Sequence, residues 1–317
     1  MYSCTVIISH FESVPFLRAC LRQIKNYENP LVLTQIFVVD QSSEKTNQLV
    51  NDEFAAEDVM IAHIPPRYSG YGVDWVLRNL IIESDYVAQF HVDAAPISDQ
   101  YLLLPIKLME EFDLHFVGQL QFINSSSNLA HIYPPNPFFA MAQCFNVGRT
   151  STYKEMSINA GFTRFHQRPF IDMEFLNDDW DRWAAHDYKK RGSDDDVVAF
   201  HWEDLHRKHD KLGLAITGYV HPHFGRIIED TVFHFGSARE SVGVMEKMPQ
   251  QYQDYYKKIQ ENYSDELIEE MISLAKANRP PELEILSRNY WNGETKISSP
   301  PTDEINKRIE ELKNMYI

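Results

Sequence analysis

Basic residues are scarce in this chain: 30 Lys and Arg stand against 46 Asp and Glu, for a net charge of −16. A protein that grips a polyanion carries a basic face, because neutralising phosphates dominates such binding. Here the short basic clusters are Lys189 to Arg191 and His206 to Lys211, so nucleic acid and anionic membranes are disfavoured as main partners. Long apolar runs are missing too, and none approaches the roughly 18 to 20 residues that a membrane-spanning helix needs. The opening MYSCTVIIS runs straight into an apolar strand with no basic n-region and no small-residue cleavage site, which points away from a signal peptide. Cysteine is rare. Cys4, Cys20 and Cys144 are scattered, odd in number and set in apolar stretches, the pattern of buried thiols in a reducing compartment rather than a disulfide framework. No segment repeats itself or collapses into low complexity. These absences lead us to expect a soluble, cytoplasmic globular protein.

The 317 residues, 44% of them hydrophobic, suffice for one large domain or one domain with an appendage. Thr5 to Ser9 is a β-rich run, and Phe16, Leu17, Cys20, Leu21 and Ile24 follow at helical spacing. Gln35 to Asp40 is a second apolar strand, with helix expected over Glu44 to Phe54. Val59 to Ile64 makes a third strand, closed by Pro65-Pro66. A loop with Gly70 and Gly72 then leads to a helix over Val73 to Glu83, and Tyr86 to Val92 is a fourth strand. Strands alternating with helices predict a parallel sheet covered on both faces. Ligands of such sheets bind beyond the carboxyl ends of the strands, which draws attention to Ser9 to Glu12, Asp40, and His91 to Asp93.

Beyond Asp93 the pattern is mixed. Leu102 to Phe112 reads as helix, Leu114 to Ile123 and Phe138 to Val147 as strands, and Asn124 to Pro137 as a loop between them. Val197 to Leu212 reads as helix, and Leu214 to Val220 and Thr231 to Phe235 as strands. From Val244 onward the chain is charged and mostly helical, interrupted at Pro280-Pro281 and Pro300-Pro301.

Three segments carry chemistry. The fourth strand ends in His91-Val92-Asp93-Ala94, and an acid at a strand end can hold a divalent cation against a diphosphate, since Mg²⁺ and Mn²⁺ take oxygen ligands and share them with phosphates. The strand around Val232 delivers His234 ahead of Gly236, and imidazole also suits Mn²⁺. Trp202-Glu203-Asp204-Leu205 offers adjacent carboxylates, either a helix N-terminus satisfying its dipole or a general base. Asp178, Asp179 and Asp181, or Asp194 to Asp196, are alternative sources of that base, though such runs are commonly solvated surface.

Taken in order, these segments resemble the family 2 glycosyltransferases and their GT-A relatives. VIISHFES is similar to the family's opening VIIPTYNE-type strand, and Val38 to Ser43 to its VVDDGS. YVAQFHVDAAPIS resembles its YIAFLDSDD-type strand, and Phe145 to Arg149 its strand-then-Arg step. Trp202 to Leu205 looks like its ED-containing helix start, and His234 with Gly236 like its closing His-x-Gly. The resemblance spans about residues 4 to 240. It departs at His91, which replaces the first acid, at Ala94-Ala95, where another Asp is usual, and at Glu12, where Asn is common.

The resemblance implies an α/β, GT-A fold: a mixed, mainly parallel sheet flanked by helices, over residues 1–243, plus a helical C-terminal extension over 244–317. Within it, residues 1–98 form a nucleotide-binding half and 99–243 an acceptor-binding half. It implies transfer of a sugar from a nucleotide-diphosphate donor, a UDP-sugar before others, to a glycan or small hydroxylated acceptor. Donor contacts would come from Ser9, His10, Phe11, Glu12, Asp40, His91, Asp93 and Arg149, and a Mn²⁺ or Mg²⁺ ion from Asp93 and His234. Asp204, or Glu203 beside it, would take the acceptor's proton. Two rivals remain. A nucleotidyltransferase opens with a Gly-rich, Lys/Arg-bearing loop, and Ser9 to Pro15 has neither; the other is a catalytically inactive sugar- or nucleotide-binding relative. The tail from Val244 leaves three roles open: capping the acceptor site, forming a homo-oligomer, or binding a partner enzyme.

Overall fold

The apolar run after Met1 forms β1 (Tyr2–His10), buried along nearly all its length, as an interior strand of a parallel sheet must be. The structure is a computed structural model. It describes residues 1–12, 14–65, 69–123, 138–154, 213–215, 220–221, 225–228, 231–234, 290–291, 297–298 and 307–312. In chain order there follow α1 (Val14–Asn26), β2 (Val32–Asp40), α2 (Glu44–Phe54), β3 (Met60–His63), α3 (Ser69–Asn79), β4 (Tyr86–His91), β5 (Ala94–Pro96) and α4 (Gln100–Phe112). Then come β6 (Phe116–Ile123), β7 (Phe138–Arg149), α5 (Thr150–Lys154), β8 (Gly213–Ala215), β9 (Val220–His221), β10 (Gly225–Ile228), β11 (Val232–His234), β12 (Tyr290–Trp291) and β13 (Ile297–Ser298).

The main sheet runs β13-β12-β8-β6-β7-β4-β1-β2-β3. Strands β3, β2, β1 and β4 are mutually parallel, β7 is antiparallel to both β4 and β6, and β8 is parallel to β6. This is the mixed, mainly parallel sheet flanked by helices expected of a GT-A fold. From β1 the chain winds outward to β2 and β3, then crosses back so that β4 lies on the other side of β1. The carboxyl ends of β1 and β4 therefore flank the topological switch point, where open α/β sheets bind ligands. A second sheet, β5-β11-β10-β9, stands beside it.

The helices bury the side chains their spacing predicts. Phe16, Leu17, Cys20, Leu21 and Ile24 of α1 are all buried, each large apolar side chain contributing roughly 1.5–3 kcal/mol. One expectation changes. The loop with Gly70 and Gly72 is instead the first turn of α3, which ends at Asn79 rather than Glu83. A Cβ on Gly72 would lie 2.7 Å from Ser9 Oγ and 3.3 Å from Val39 Cβ, so glycine serves close helix–strand approach here. Of the C-terminal segment, expected to be mostly helical, the described residues are 290–291, 297–298 and 307–312. β12 and β13 extend the main sheet, and in the helical residues 307–312 Ile309 and Leu312 enter the core while Arg308 bonds Glu111 of α4 at 2.6 and 2.7 Å. The expected helix at Val197 to Leu212 lies outside the described residues. Among the described residues no helix is long and apolar enough to cross a membrane.

Strands β6 and β7 also rely on a missing side chain. A Cβ on Gly148 would stand 2.3 Å from Phe116 Cδ1 and 2.9 Å from Tyr153 Cε2, two buried rings packed edge to face at 5.0 Å. Gly148→Ala should therefore destabilise the protein by about 1–3 kcal/mol through overpacking, read as a lower urea midpoint. An unchanged midpoint would mean that these rings have room to yield.

Candidate functional site

Strand β4 ends at His91, and a tight turn over Val92 and Asp93 leads into β5 of the second sheet. β5 pairs antiparallel with β11, Ala94 opposite His234 and Pro96 opposite Val232, with a further bond from Ile97 N to Thr231 O of 2.9 Å. This short pairing brings His234 to Asp93 from far along the chain. It also accounts for Ala94 and Ala95, where the resemblance would have another acid: both are fully buried, and a carboxylate there would have to be desolvated.

His91, Asp93 and His234 each present a ligand atom, all within 4.8 Å of one another. His234 Nε2 lies 3.2 Å from Asp93 Oδ1, His91 Nδ1 lies 4.0 Å from the same oxygen, and the two imidazoles stand 5.9 Å apart at 60°. Asp93 and His234 are 6% and 8% exposed. Neither ring nitrogen of His234 makes a hydrogen bond of acceptable geometry among the described residues. Buried polar atoms without a well-formed hydrogen bond are costly, and a divalent cation held with Asp93 would give His234 a strong partner. Burial disfavours charge on His234, but the neighbouring Asp93 carboxylate, and after it Cys144, outweigh that and raise its pKa to about 10. The residues fit a metal. Sequence reasoning put Asp93 and His234 together on the ion but gave His91 to the donor. The structure adds His91 to the cluster, a role that its spacing of two from Asp93 could have signalled.

The base-side candidates lie at the neighbouring strand ends and have partners within the protein. His10, Asp40 and His63 stand in register across β1, β2 and β3. Asp40 is fully buried. Its Oδ1 is 2.8 Å from His10 Nδ1 and accepts from Ser42 N at 3.1 Å, while Oδ2 is 3.0 Å from His63 Nδ1. Desolvation pushes the Asp40 pKa up, but the hydrogen bonds of His10 and Ser42 win and hold it below the ordinary carboxylate range. His63, which sequence reasoning missed, also places Nε2 2.9 Å from Asn51 Oδ1. Ser9 is buried against Gly72 of α3, and Phe11 is half-buried beside it in sequence.

Glu12 has a φ of 53°, the left-handed region that disfavours most side chains and is best tolerated by Gly, Asn and Asp. Its carboxylate accepts from Ser43 N at 2.5 Å and from the Thr46 hydroxyl, and its own N–H donates to Ser42 Oγ at 2.7 Å. Ser43 is the N-cap of α2 and makes no side-chain cap bond. Glu12 thus caps that helix from a distant loop, where a negative charge is favoured.

Arg149 is not brought to this site. It closes β7, paired with Tyr86 at the opposite end of β4, roughly 16 Å along the strand from His91. Its guanidinium donates to Leu114 O at 2.9 Å, Met109 O at 3.0 Å and Glu110 Oε1 at 3.0 Å, satisfying carbonyls at the end of α4. Because β7 runs antiparallel to β4, its last residue falls at the amino edge of the sheet. Glu203 and Asp204, the alternative acids Asp178, Asp179, Asp181 and Asp194 to Asp196, and Gly236 lie outside the described residues.

No family model and no curated protein matches the chain. Among solved structures, it is similar to the mannosyltransferase PcManGT from Pyrobaculum calidifontis in complex with GDP-Man and Mn²⁺ (14% identity, TM-score 0.36, covering 48% of this chain and 46% of that one). It is also similar to S. aureus TarS in complex with UDP-GlcNAc (14% identity, TM-score 0.36, 49% and 48%). A third similarity is to the 4-diphosphocytidyl-2C-methyl-D-erythritol synthase from Anaerococcus prevotii (13% identity, TM-score 0.37, 65% and 99%). The match thus spans about half the length of the first two proteins. At such identities and scores, none of them carries a residue's role over to this chain.

Two pH dependences follow. A carboxylate with a lowered pKa stabilises the fold above its unfolded value, near 3.8, and loses that contribution as pH falls through its folded value. Asp40→Asn should cost about 3–5 kcal/mol at neutral pH, and urea midpoints of the two proteins should converge only below pH 3.8. For His234 the shift runs the other way: with its pKa raised to about 10 the ring favours the protonated form at neutral pH, and an incoming cation must displace that proton. Metal affinity measured by calorimetry should rise about tenfold per pH unit between neutrality and that value; a flat profile would remove His234 from the ligand set.

Proposed function

We propose that this chain is a metal-dependent glycosyltransferase, moving a sugar from a nucleotide-diphosphate donor, a UDP-sugar before others, to an acceptor hydroxyl. The observation that carries the reading is the convergence of His91, Asp93 and His234 at the carboxyl end of β4, beside the switch point of the sheet. The donor lies over the strand ends, its base toward His10 and Asp40 and its diphosphate toward Asp93. When bound, Mn²⁺ or Mg²⁺ supplies positive charge that neutralises the departing diphosphate. His91, Asp93 and His234 hold it.

The remaining chemistry belongs to the chain's carboxylates. Asp204, or Glu203 beside it, accepts the proton of the acceptor hydroxyl as that oxygen attacks the anomeric carbon. The bond from that carbon to the diphosphate oxygen breaks, the nucleoside diphosphate leaves, and attack in line inverts the anomeric centre. Asp40 acts through His10, keeping the imidazole in place by their 2.8 Å contact. The acceptor is a glycan or small hydroxylated molecule, in keeping with a net charge of −16, which repels polyanions. The absence of glycine, lysine and arginine from Ser9 to Pro15 argues against a triphosphate-gripping nucleotidyltransferase.

Titration calorimetry of UDP, GDP, CDP and dTDP into the protein, with Mn²⁺ and then with EDTA, tests this reading. One nucleotide should bind in a metal-dependent way, with UDP favoured, and Asp93→Ala should abolish that binding. Asp204→Ala should keep donor binding and lose at least about a hundredfold in transfer, the scale of a general base. A folded protein that binds none of the four would instead favour an inactive, partner-binding relative.

A further inference from the structure

The outer edge of the main sheet is only partly covered. β3 is its last strand and pairs with residues 37–40 alone, whereas β2 keeps an unbroken register with β1 from Val32 onward. Residues 32–36 therefore have a strand on one side only. Main-chain groups along a strand point alternately to its two sides. Asp40 O accepts from Ile64 N at 2.9 Å on the β3 side, so the N–H and C=O of Thr34, an even number of residues earlier, face that side too. Val32 O, which faces the same way, is met among the described residues by Thr34 Oγ1 at 3.5 Å. The chain leaves the edge at residues 57–59, where Val59 N donates to Glu57 O at 2.8 Å. A groove of about 580 Å³ remains, lined by Leu33, Thr34 and Met60 together with the acidic Glu57, Asp58 and Glu83. Leu33 and Met60 are 66% and 40% exposed. Glu57 pairs with Lys25, while Asp58 and Glu83 have no ion pair among the described residues. Sheets ordinarily blunt such an edge with lysine, proline or a bulge, and the segment VLTQI has none of these.

We propose that the edge of β2 over residues 32–36 docks an extended segment of a partner protein, one carrying lysine or arginine among apolar residues. The segment adds to the main sheet as a further strand. Thr34 supplies the main-chain hydrogen bonds that give such pairing its affinity, and Leu33 an apolar contact for alternate side chains of the incoming strand. The carboxylates of Asp58 and Glu83 select basic side chains over acidic ones. A second copy of this chain is the poorer occupant, because it brings the same acidic groove and its own net charge of −16. The site lies at the amino end of β2, away from the cluster of His91, Asp93 and His234 at the carboxyl end of β4. It is therefore independent of the function proposed above.

The test is fluorescence anisotropy of a short labelled peptide alternating lysine and valine, capped at both ends, titrated with the full-length protein. The peptide should bind, less tightly as salt rises, and amide hydrogen exchange at Thr34 should slow. The same peptide N-methylated at alternate main-chain nitrogens keeps its charge but cannot pair as a strand, and should bind about tenfold more weakly or worse. Thr34→Pro removes an edge donor that faces away from β1, a position where a sheet tolerates proline. Thr34→Pro and Leu33→Lys should each lower affinity about tenfold or more, with urea midpoints unchanged. If Thr34→Pro unfolds the protein, Leu33→Lys and the N-methylated peptide decide the outcome. Equal binding of the N-methylated peptide means charge attraction alone and overturns the proposal, as does binding that survives both substitutions, or no binding at all. A dimer in sedimentation that either substitution dissolves assigns the edge to a second copy and overturns the partner reading. Neither metal nor nucleotide enters the measurement, so its failure leaves the proposed function standing.

Discussion

A carboxylate removed entirely from water must be compensated by the protein around it, and Asp40 is such a group. Its compensation comes from three directions: His10 on the strand to one side, His63 on the strand to the other, and the backbone of Ser42 just beyond its own strand. Each contact is possible only when β1, β2 and β3 keep their observed parallel register, which sets the three residues side by side. A slip of one residue would turn the side chains to the opposite face and strand the charge. The row therefore fixes the carboxyl edge of the sheet, and with it the floor beneath the switch point.

A second constraint builds upon that floor. His91 and Asp93 belong to the main sheet and its exit turn, whereas His234 arrives on the smaller one, through the pairing of β5 with β11. The candidate site sits on the seam between the two sheets. Around it the loop after β1 is held by Glu12, whose strained backbone is stabilised by the helix terminus that it caps. The edge thus combines a hydrogen-bonded row of His10, Asp40 and His63 on one side with the cluster of His91, Asp93 and His234 on the other.

Much of this was legible in the sequence. The apolar runs of β1, β2 and β4 and the helical spacing of α1 identify the parallel core, because burial on both faces leaves few polar residues to mislead. Residue chemistry and order also pointed to Asp93 and His234 as partners, and the structure brings their side chains within 3.2 Å. The failures share a cause, which is that local pattern does not report long-range pairing. Gly70 and Gly72 read as a loop because glycine disfavours helices, yet Gly72 is needed for contact with Ser9 and Val39. Arg149 followed a strand as expected, but nothing local says that β7 runs antiparallel to β4 and so ends at the wrong edge. The partnership of His63 with Asp40 is likewise invisible without strand register.

The route by which His234 reaches Asp93 has a consequence for how the protein comes into being. During synthesis the strands β1 to β4 leave the ribosome first, and Asp93 emerges well over a hundred residues before His234. A nascent chain can begin to assemble β1 to β4 around its apolar core, but the cluster of His91, Asp93 and His234 cannot exist until β11 has been translated and docked on β5. Assembly of this cluster is consequently a late event in biogenesis, and a ribosome stalled anywhere before residue 234 displays a strand end that lacks the cluster's second imidazole.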